Sequence, residues 1–316
     1  MNVNTLLETV KLQEGLVSLL QAAPSVTVAS SVKDLQDLAC GQNGTHTTVS
    51  YTLPDGSVVD EADVVRVRNG VSANYREAYM RRRDPDCMVV ADDRPTDKIH
   101  FSERYGYDFS KLKSETFEWL ATQDLALFIF EMGQPGIGAD ALAICPANAG
   151  FFALGLGLLQ GVLDITSIKR ECKPQTIIYV APPFRHTHFG GKQVVVHNRG
   201  ELHEIFSYNL YPGPSAKKGV YGALIELGEQ QGWVTAHCSS VKVVTPYDNE
   251  VTFMHEGASG GGKSEMLQQP HRLADGRLLL GKNTVTEKKS YLEIPRTCEL
   301  HPVCDDMGLC HPDIQY

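Results

Sequence analysis

The chain has 316 residues, 42% of them hydrophobic and 21% charged, enough to bury one or two cores, so two domains are the natural expectation. A formal net charge of -9 leaves no broad basic surface for a nucleic-acid backbone, which argues against nucleic acid as a partner. The longest apolar run, 151–159 (FFALGLGLL), is far shorter than the roughly 20 residues of a bilayer-crossing helix, so no membrane partner is expected and the run predicts a buried helix.

The opening MNVNTLLETVKLQEG sets Glu8 and Glu14 inside the apolar pattern without a cationic stretch ahead of it, which is no secretory leader and predicts a cytoplasmic protein. Thr5 and Glu8 read as a capping box, and Pro24 follows a pair of alanines, so 5–23 is predicted helical. From Thr47 to Val67 apolar and polar residues alternate around Pro54-Asp55-Gly56, the pattern of a hairpin, and a helix is predicted over Ser72 to Arg82. Apolar runs at 87–91, 125–130, 141–144, 176–181 and 193–197 are candidate strands. His186 and His188 alternate on one side of a possible further strand, where a surface pair is the simpler reading than a metal site.

A helix is predicted over Lys218 to Gln230, and Gly232 then introduces two strand-like runs, WVTAHCSSVKVV and EVTFMHE. The expected architecture is α/β, a mixture of helices and strands without repeats, with an N-terminal domain over 1–230 and a second over 231–316. The eight cysteines, at 40, 87, 145, 172, 238, 298, 304 and 310, are irregularly spaced in a chain too long to need a disulfide framework, and reduced thiols are expected. Cys298, His301, Cys304, Cys310 and His311 lack the paired Cys-x-x-Cys spacing of structural zinc sites.

The strongest local signal is Gly257-Ala258-Ser259-Gly260-Gly261-Gly262-Lys263-Ser264, which fits G-x-x-x-x-G-K-[ST] at every fixed position. Glycines let consecutive amides turn toward phosphate oxygens, Lys263 supplies a mobile cation for the outer phosphates, and the Ser264 hydroxyl suits Mg2+. VTFMHE before the loop and SEMLQQ after it predict the order strand, loop, helix, with the helix adding its positive end. The predicted ligand is ATP with a divalent metal.

The stretch from Tyr211 to Met266 resembles the active-site half of ATP-dependent phosphoenolpyruvate carboxykinase, in which a tyrosine, Lys-Lys-Gly, a helix, His-Cys-Ser and the phosphate loop follow in this order. Lys218 and His237, 19 residues apart, match two of that family's metal ligands in residue and separation. Asp93-Arg94-Pro95-Thr96-Asp97-Lys98 is similar to the segment whose arginine holds the substrate carboxylate, and Val303-Cys304-Asp305-Asp306 to the one supplying a manganese ligand. Asp306 is the better match, with Asp305 the alternative.

The resemblance implies a carboxykinase-like substrate domain followed by a nucleotide domain, with Arg94 and Tyr211 toward a small dicarboxylate or enol acid and Lys218, His237, Ser264 and Asp306 toward Mn2+ or Mg2+. A lysine binds metal only as the neutral amine, a form that neighbouring Lys217 and the metal would both favour. The whole chain is still more similar to a bacterial carboxykinase-related family of unknown function.

The chain departs from the carboxykinase pattern by one residue between Tyr211 and the lysine pair and by a longer stretch between Lys263 and Asp306. It ends ten residues past Asp306, where carboxykinases continue, so the resemblance implies an incomplete nucleotide domain. The Gly-Lys-Ser-Glu ending at Glu265 is closer to the HPr kinase/phosphorylase loop than to the carboxykinase Gly-Lys-Thr-Thr. An HPr-kinase-like phosphotransferase and a non-catalytic nucleotide-binding protein therefore stand beside the carboxykinase reading.

Overall fold

The computed structural model describes residues 3–41, 44–76, 86–133, 138–213, 217–258, 260–268, 272–293 and 298–314. The chain divides into two compact units, 1–224 and 225–316.

The first unit is built on a seven-stranded mixed sheet of β1 (Val26–Ala29), β5 (Met88–Val90), β6 (Leu125–Met132), β7 (Ala139–Pro146), β8 (Thr176–Val180), β9 (Val195–Arg199) and β10 (His203–Ser207). The spatial order is β1-β6-β7-β8-β10-β9-β5, with the β6/β7 and β9/β10 pairs antiparallel and the others parallel. Strands β6, β7 and β8 are buried almost throughout, which is why they read as continuous apolar runs rather than alternating ones.

The strand register sorts the side chains into two faces. Leu127, Ile144, Tyr179, Phe206 and Val196 share one face and join a core with Leu6, Leu16, Leu20, Leu112 and Leu120 from α1 (Val3–Thr9), α2 (Glu14–Ala22) and α5 (Phe109–Leu120). Phe128, Ala143, Ile178, Ile205 and His197 line the other, where α3 (Val32–Cys40), α6 (Gly150–Gln160) and the start of α8 (Lys218–Gln231) lie. Helix α6 is the buried helix expected from FFALGLGLL, and its glycines set the packing distance. A Cβ at Gly150 would lie 2.6 Å from the Leu38 backbone, and one at Gly157 would lie 2.5 Å from Leu35 Cδ1, so α3 and α6 approach closely only because those side chains are absent.

The predicted hairpin is β2 (His46–Thr52) with β3 (Val58–Val67), and β4 (Gly70–Tyr75) completes an antiparallel three-stranded sheet. Three local expectations differ. The helix predicted over 5–23 is two helices, α1 and α2, because Val10 leaves the helical path to bridge Cys172. The helix predicted from Ser72 is strand β4 as far as Tyr75, paired along β3, and 77–82 lies outside the described residues. His186 and His188 sit on the short helix α7 (Phe184–Phe189), not on a strand, and pair with Glu61 at 3.1 Å and Glu115 at 2.9 Å.

The described residues of unit 2 form three small antiparallel sheets. Strand β12 (Cys238–Val244) is central between β13 (Glu250–Glu256) and β16 (Glu299–Cys304), β11 (Val234–Ala236) pairs with β17 (Gly308–Cys310), and β14 (Leu278–Lys282) pairs with β15 (Lys289–Leu292). With α4 (Phe101–Tyr105), eight α-helices occur among the described residues, and no described helix is long and apolar enough to cross a membrane. All eight cysteines lie among the described residues and none is joined in a disulfide.

Candidate functional site

The glycine-rich loop leaves the end of β13, an edge strand of an antiparallel sheet, and returns against β12. Gly260 and Gly262 take left-handed φ values of +82° and +83°, a conformation glycine adopts at no steric cost and other residues rarely adopt. The Gly261 amide closes the turn on the Ala258 carbonyl at 3.1 Å. Among the described residues, the amides of Gly262, Lys263 and Ser264 donate to no protein group. Ser259 lies outside the described residues, and Gly257 is exposed.

Lys263 is buried, only 9% exposed, and its ammonium donates to the Gly257 and Ala258 carbonyls at 2.9 and 3.0 Å. No described carboxylate pairs with it, so a desolvated cation is held here by backbone dipoles alone. That arrangement is costly unless an anion shares the site, and an ammonium has a third hydrogen to donate. The main chain of Lys263 is fixed from behind: the hydroxyl of fully buried Ser239, on β12, donates to its carbonyl at 2.6 Å.

The helix expected after the loop is a single 3-10 turn, Glu265–Leu267, closed by Met266 and Leu267 amides on Gly262, Lys263 and Ser264 carbonyls. Leu267 buries itself and ends the turn, and 269–271 lies outside the described residues. A short turn adds little macrodipole, so an anion at this loop would be met mainly by Lys263 and the amides of 262–264.

The turn after β16 supplies two carboxylates, which divide their contacts. Ser264 Oγ donates to Asp305 Oδ1 at 2.8 Å, while His237 Nε2 lies 3.3 Å from Asp306 Oδ1. Asp306 has φ +73°, a left-handed conformation that aspartate tolerates better than most residues, and the turn directs the adjacent carboxylates to different partners. His237 and Asp306 are both half-buried, whereas Asp305 is exposed. Imidazole, hydroxyl and two carboxylates are a donor set suited to Mn2+ or Mg2+. Among the described residues no three His, Cys, Asp or Glu side chains converge as a metal cage.

Behind His237, Cys238 is buried and its thiol is pushed up to about 12 by burial and then by neighbouring Cys304, which disfavours its thiolate while Cys304 is reduced.

Arg94, Tyr211 and Lys218 belong to unit 1. Exposed Arg94 donates from Nη2 to the Gly200 carbonyl at 3.2 Å, and its carbonyl accepts from Arg199 at 3.1 Å. Arg199 in turn holds Asp92 through two nitrogens; burial raises the Asp92 carboxyl, but these bonds and backbone amides outweigh it and keep its pKa below the usual carboxylate range. The Tyr211 ring meets Tyr75 edge-on at 6.0 Å, and its amide donates to Asn209 Oδ1 at 2.9 Å. Lys218 opens α8 with its ammonium 5.0 Å from the Tyr221 ring centroid.

One member of this constellation, Ser239, has no role in the sequence reading, and another, Asp305, stands there only as the alternative to Asp306. Ser239 carries no pattern of its own beyond its place after His237 and Cys238. Asp305 was the lesser of two adjacent choices, and only the pairing of β12 with β16 gives it the Ser264 hydroxyl.

A family model described as Domain of unknown function (DUF4914) matches residues 12–316, and the chain belongs to that family. No curated protein matches the sequence.

Proposed function

We propose that this chain is an ATP- and divalent-metal-binding phosphotransferase of the carboxykinase type, converting oxaloacetate and ATP to phosphoenolpyruvate, CO2 and ADP. The observation that carries the reading is Lys263: a buried ammonium without a carboxylate partner, inside a glycine loop with free amides. A polyphosphate supplies the missing negative charge and accepts from both the ammonium and the amides.

In this reading Lys263 and the amides of 262–264 would orient the phosphates, and Ser264 with Asp305 and His237 with Asp306 would hold the metal. The metal, when bound, neutralises developing charge on phosphate and enolate oxygens. Within unit 1 the resemblance gives Arg94 and Tyr211 the carboxylates of the dicarboxylate and Lys218 the metal. Phosphoryl transfer asks the protein for in-line placement and charge neutralisation rather than covalent help, which suits a site of fixed cations and hydroxyls.

A second reading, protein phosphorylation of the HPr-kinase kind, draws on Glu265, an exposed carboxylate directly after Ser264. The two separate in one experiment. With γ-labelled ATP, Mn2+ and oxaloacetate, label is expected in phosphoenolpyruvate, and His237→Ala should lower that yield at least about tenfold, given typical losses on removing a metal ligand or its support. Label on protein instead would move the assignment to the kinase reading. Bound ATP with no transfer to either acceptor would leave a nucleotide-binding protein without catalysis.

A further inference from the structure

The cysteines of unit 1 are each buried, but three thiols of unit 2 gather beside the phosphate loop: Cys238 buried, Cys304 half-exposed and Cys310 exposed. Cys238 opens β12 and Cys304 closes β16. The register sets Cys304 opposite Ser240, whose Oγ is 3.0 Å from Cys304 Sγ, so Cys238 is the diagonal neighbour on the same face. Gly308 roofs both: a Cβ there would lie 2.6 Å from Cys238 Sγ and 3.5 Å from Cys304 Sγ. The two sulfurs therefore share a space kept clear by a glycine.

We propose that Cys238 and Cys304 are a redox modification site that takes small-molecule disulfides, such as oxidised glutathione, and closes to a reversible intramolecular disulfide. In the first exchange the half-exposed Cys304 sulfur bonds to one sulfur of the reagent, and the other leaves as a thiol. Cys238 then attacks the Cys304 sulfur, forming the internal bond and expelling the second small thiol. Two protein thiols are oxidised, one small-molecule disulfide is reduced to two thiols, and the two cysteine protons end on those products.

The position of the pair gives the modification a consequence. Diagonal strand neighbours have Cα atoms about 7–8 Å apart, at or beyond the ~6.8 Å upper reach of a relaxed disulfide. Closure therefore draws the end of β16 toward β12. Asp305 and Asp306 follow Cys304 directly, and His237 precedes Cys238, so the pull acts on the Ser264–Asp305 and His237–Asp306 contacts. This consequence rests on the nucleotide reading above; the disulfide itself does not.

The test is to incubate the wild-type chain with oxidised glutathione, map linkages by non-reducing peptide mass spectrometry, and titrate the reduced, oxidised and re-reduced forms with MgATP. A Cys238–Cys304 linked peptide is expected, with MgATP affinity lowered about tenfold and restored by dithiothreitol. In Cys304→Ser the same treatment should leave affinity unchanged. Glutathione on Cys310 with Cys238 and Cys304 both still alkylatable after denaturation would overturn the proposal. A mapped linkage with unaltered affinity would overturn its effect on the site. Failure of the reduced protein to bind MgATP counts against the nucleotide reading, and the linkage map then decides the disulfide alone.

Discussion

Replacing Lys263 by Ala is expected to weaken MgATP binding about 100-fold, equivalent to about 2.7 kcal/mol. The size follows from what is lost. A charge-assisted hydrogen bond contributes about 1.5–3 kcal/mol, and Lys263 is 9% exposed, so water screens its attraction for phosphate less than it would at an open surface. The same substitution removes a buried cation that no described carboxylate balances, so the folded protein should lose little stability or gain some. The expected pattern is affinity lost with thermal midpoint preserved, read by calorimetric titration beside a melting curve. Unchanged affinity in the variant would remove Lys263 from the phosphate site.

The second large effect lies in unit 1. Glu61 on β3 and Arg185 on α7 are 1% and 2% exposed and meet at 3.1 Å, with His186 Nε2 also 3.1 Å from Glu61 and Arg185 Nη1 donating to the Gly191 carbonyl at 2.8 Å. Exposed pairs contribute little because water already solvates both ions. Here the carboxylate is the counter-charge of a guanidinium that water hardly reaches. Glu61→Ala is expected to cost about 3–5 kcal/mol, mostly the penalty of taking this counter-charge from a buried guanidinium. Urea unfolding should show a lower midpoint at similar slope, and a loss under about 1 kcal/mol would show that the pair is not energetically buried.

What could be read from the sequence follows from how local each signal is. Strands β6, β7 and β8 were legible as apolar runs because both of their faces are covered. Strand β10, HEIFS, was missed although it lies inside the same sheet. Its Glu204 is buried yet satisfied by Lys113 at 2.6 Å and Asn198 at 2.8 Å, so a polar residue occupies a core position. The break between α1 and α2 depends on Val10 pairing with Cys172, a contact 162 positions along the chain that no helical propensity records.

The glycine-rich loop at 257–264 shows the same division. Its glycines and Lys263 form a local pattern, and the left-handed Gly260 and Gly262 are the positions where that pattern has a conformational reason. The helix after it failed because a good start such as SEMLQQ still needs several consecutive hydrogen bonds to propagate, and the chain turns inward at Leu267 instead. The contacts that give the loop its chemistry are long-range: Ser239 to the Lys263 carbonyl and Ser264 to Asp305 span 24 and 41 positions. They exist because β12 pairs with β13 on one side and β16 on the other, and strand pairing is invisible to motif spacing.

The central claim is that the loop at 257–264 holds the phosphates of a nucleoside triphosphate. Calorimetric titration of the wild-type, reduced chain with MgATP tests it most directly. The account predicts saturable binding at one site per chain, with MgADP weaker because Lys263 serves the outer phosphates. A folded protein that shows no saturable heat up to millimolar MgATP would contradict it.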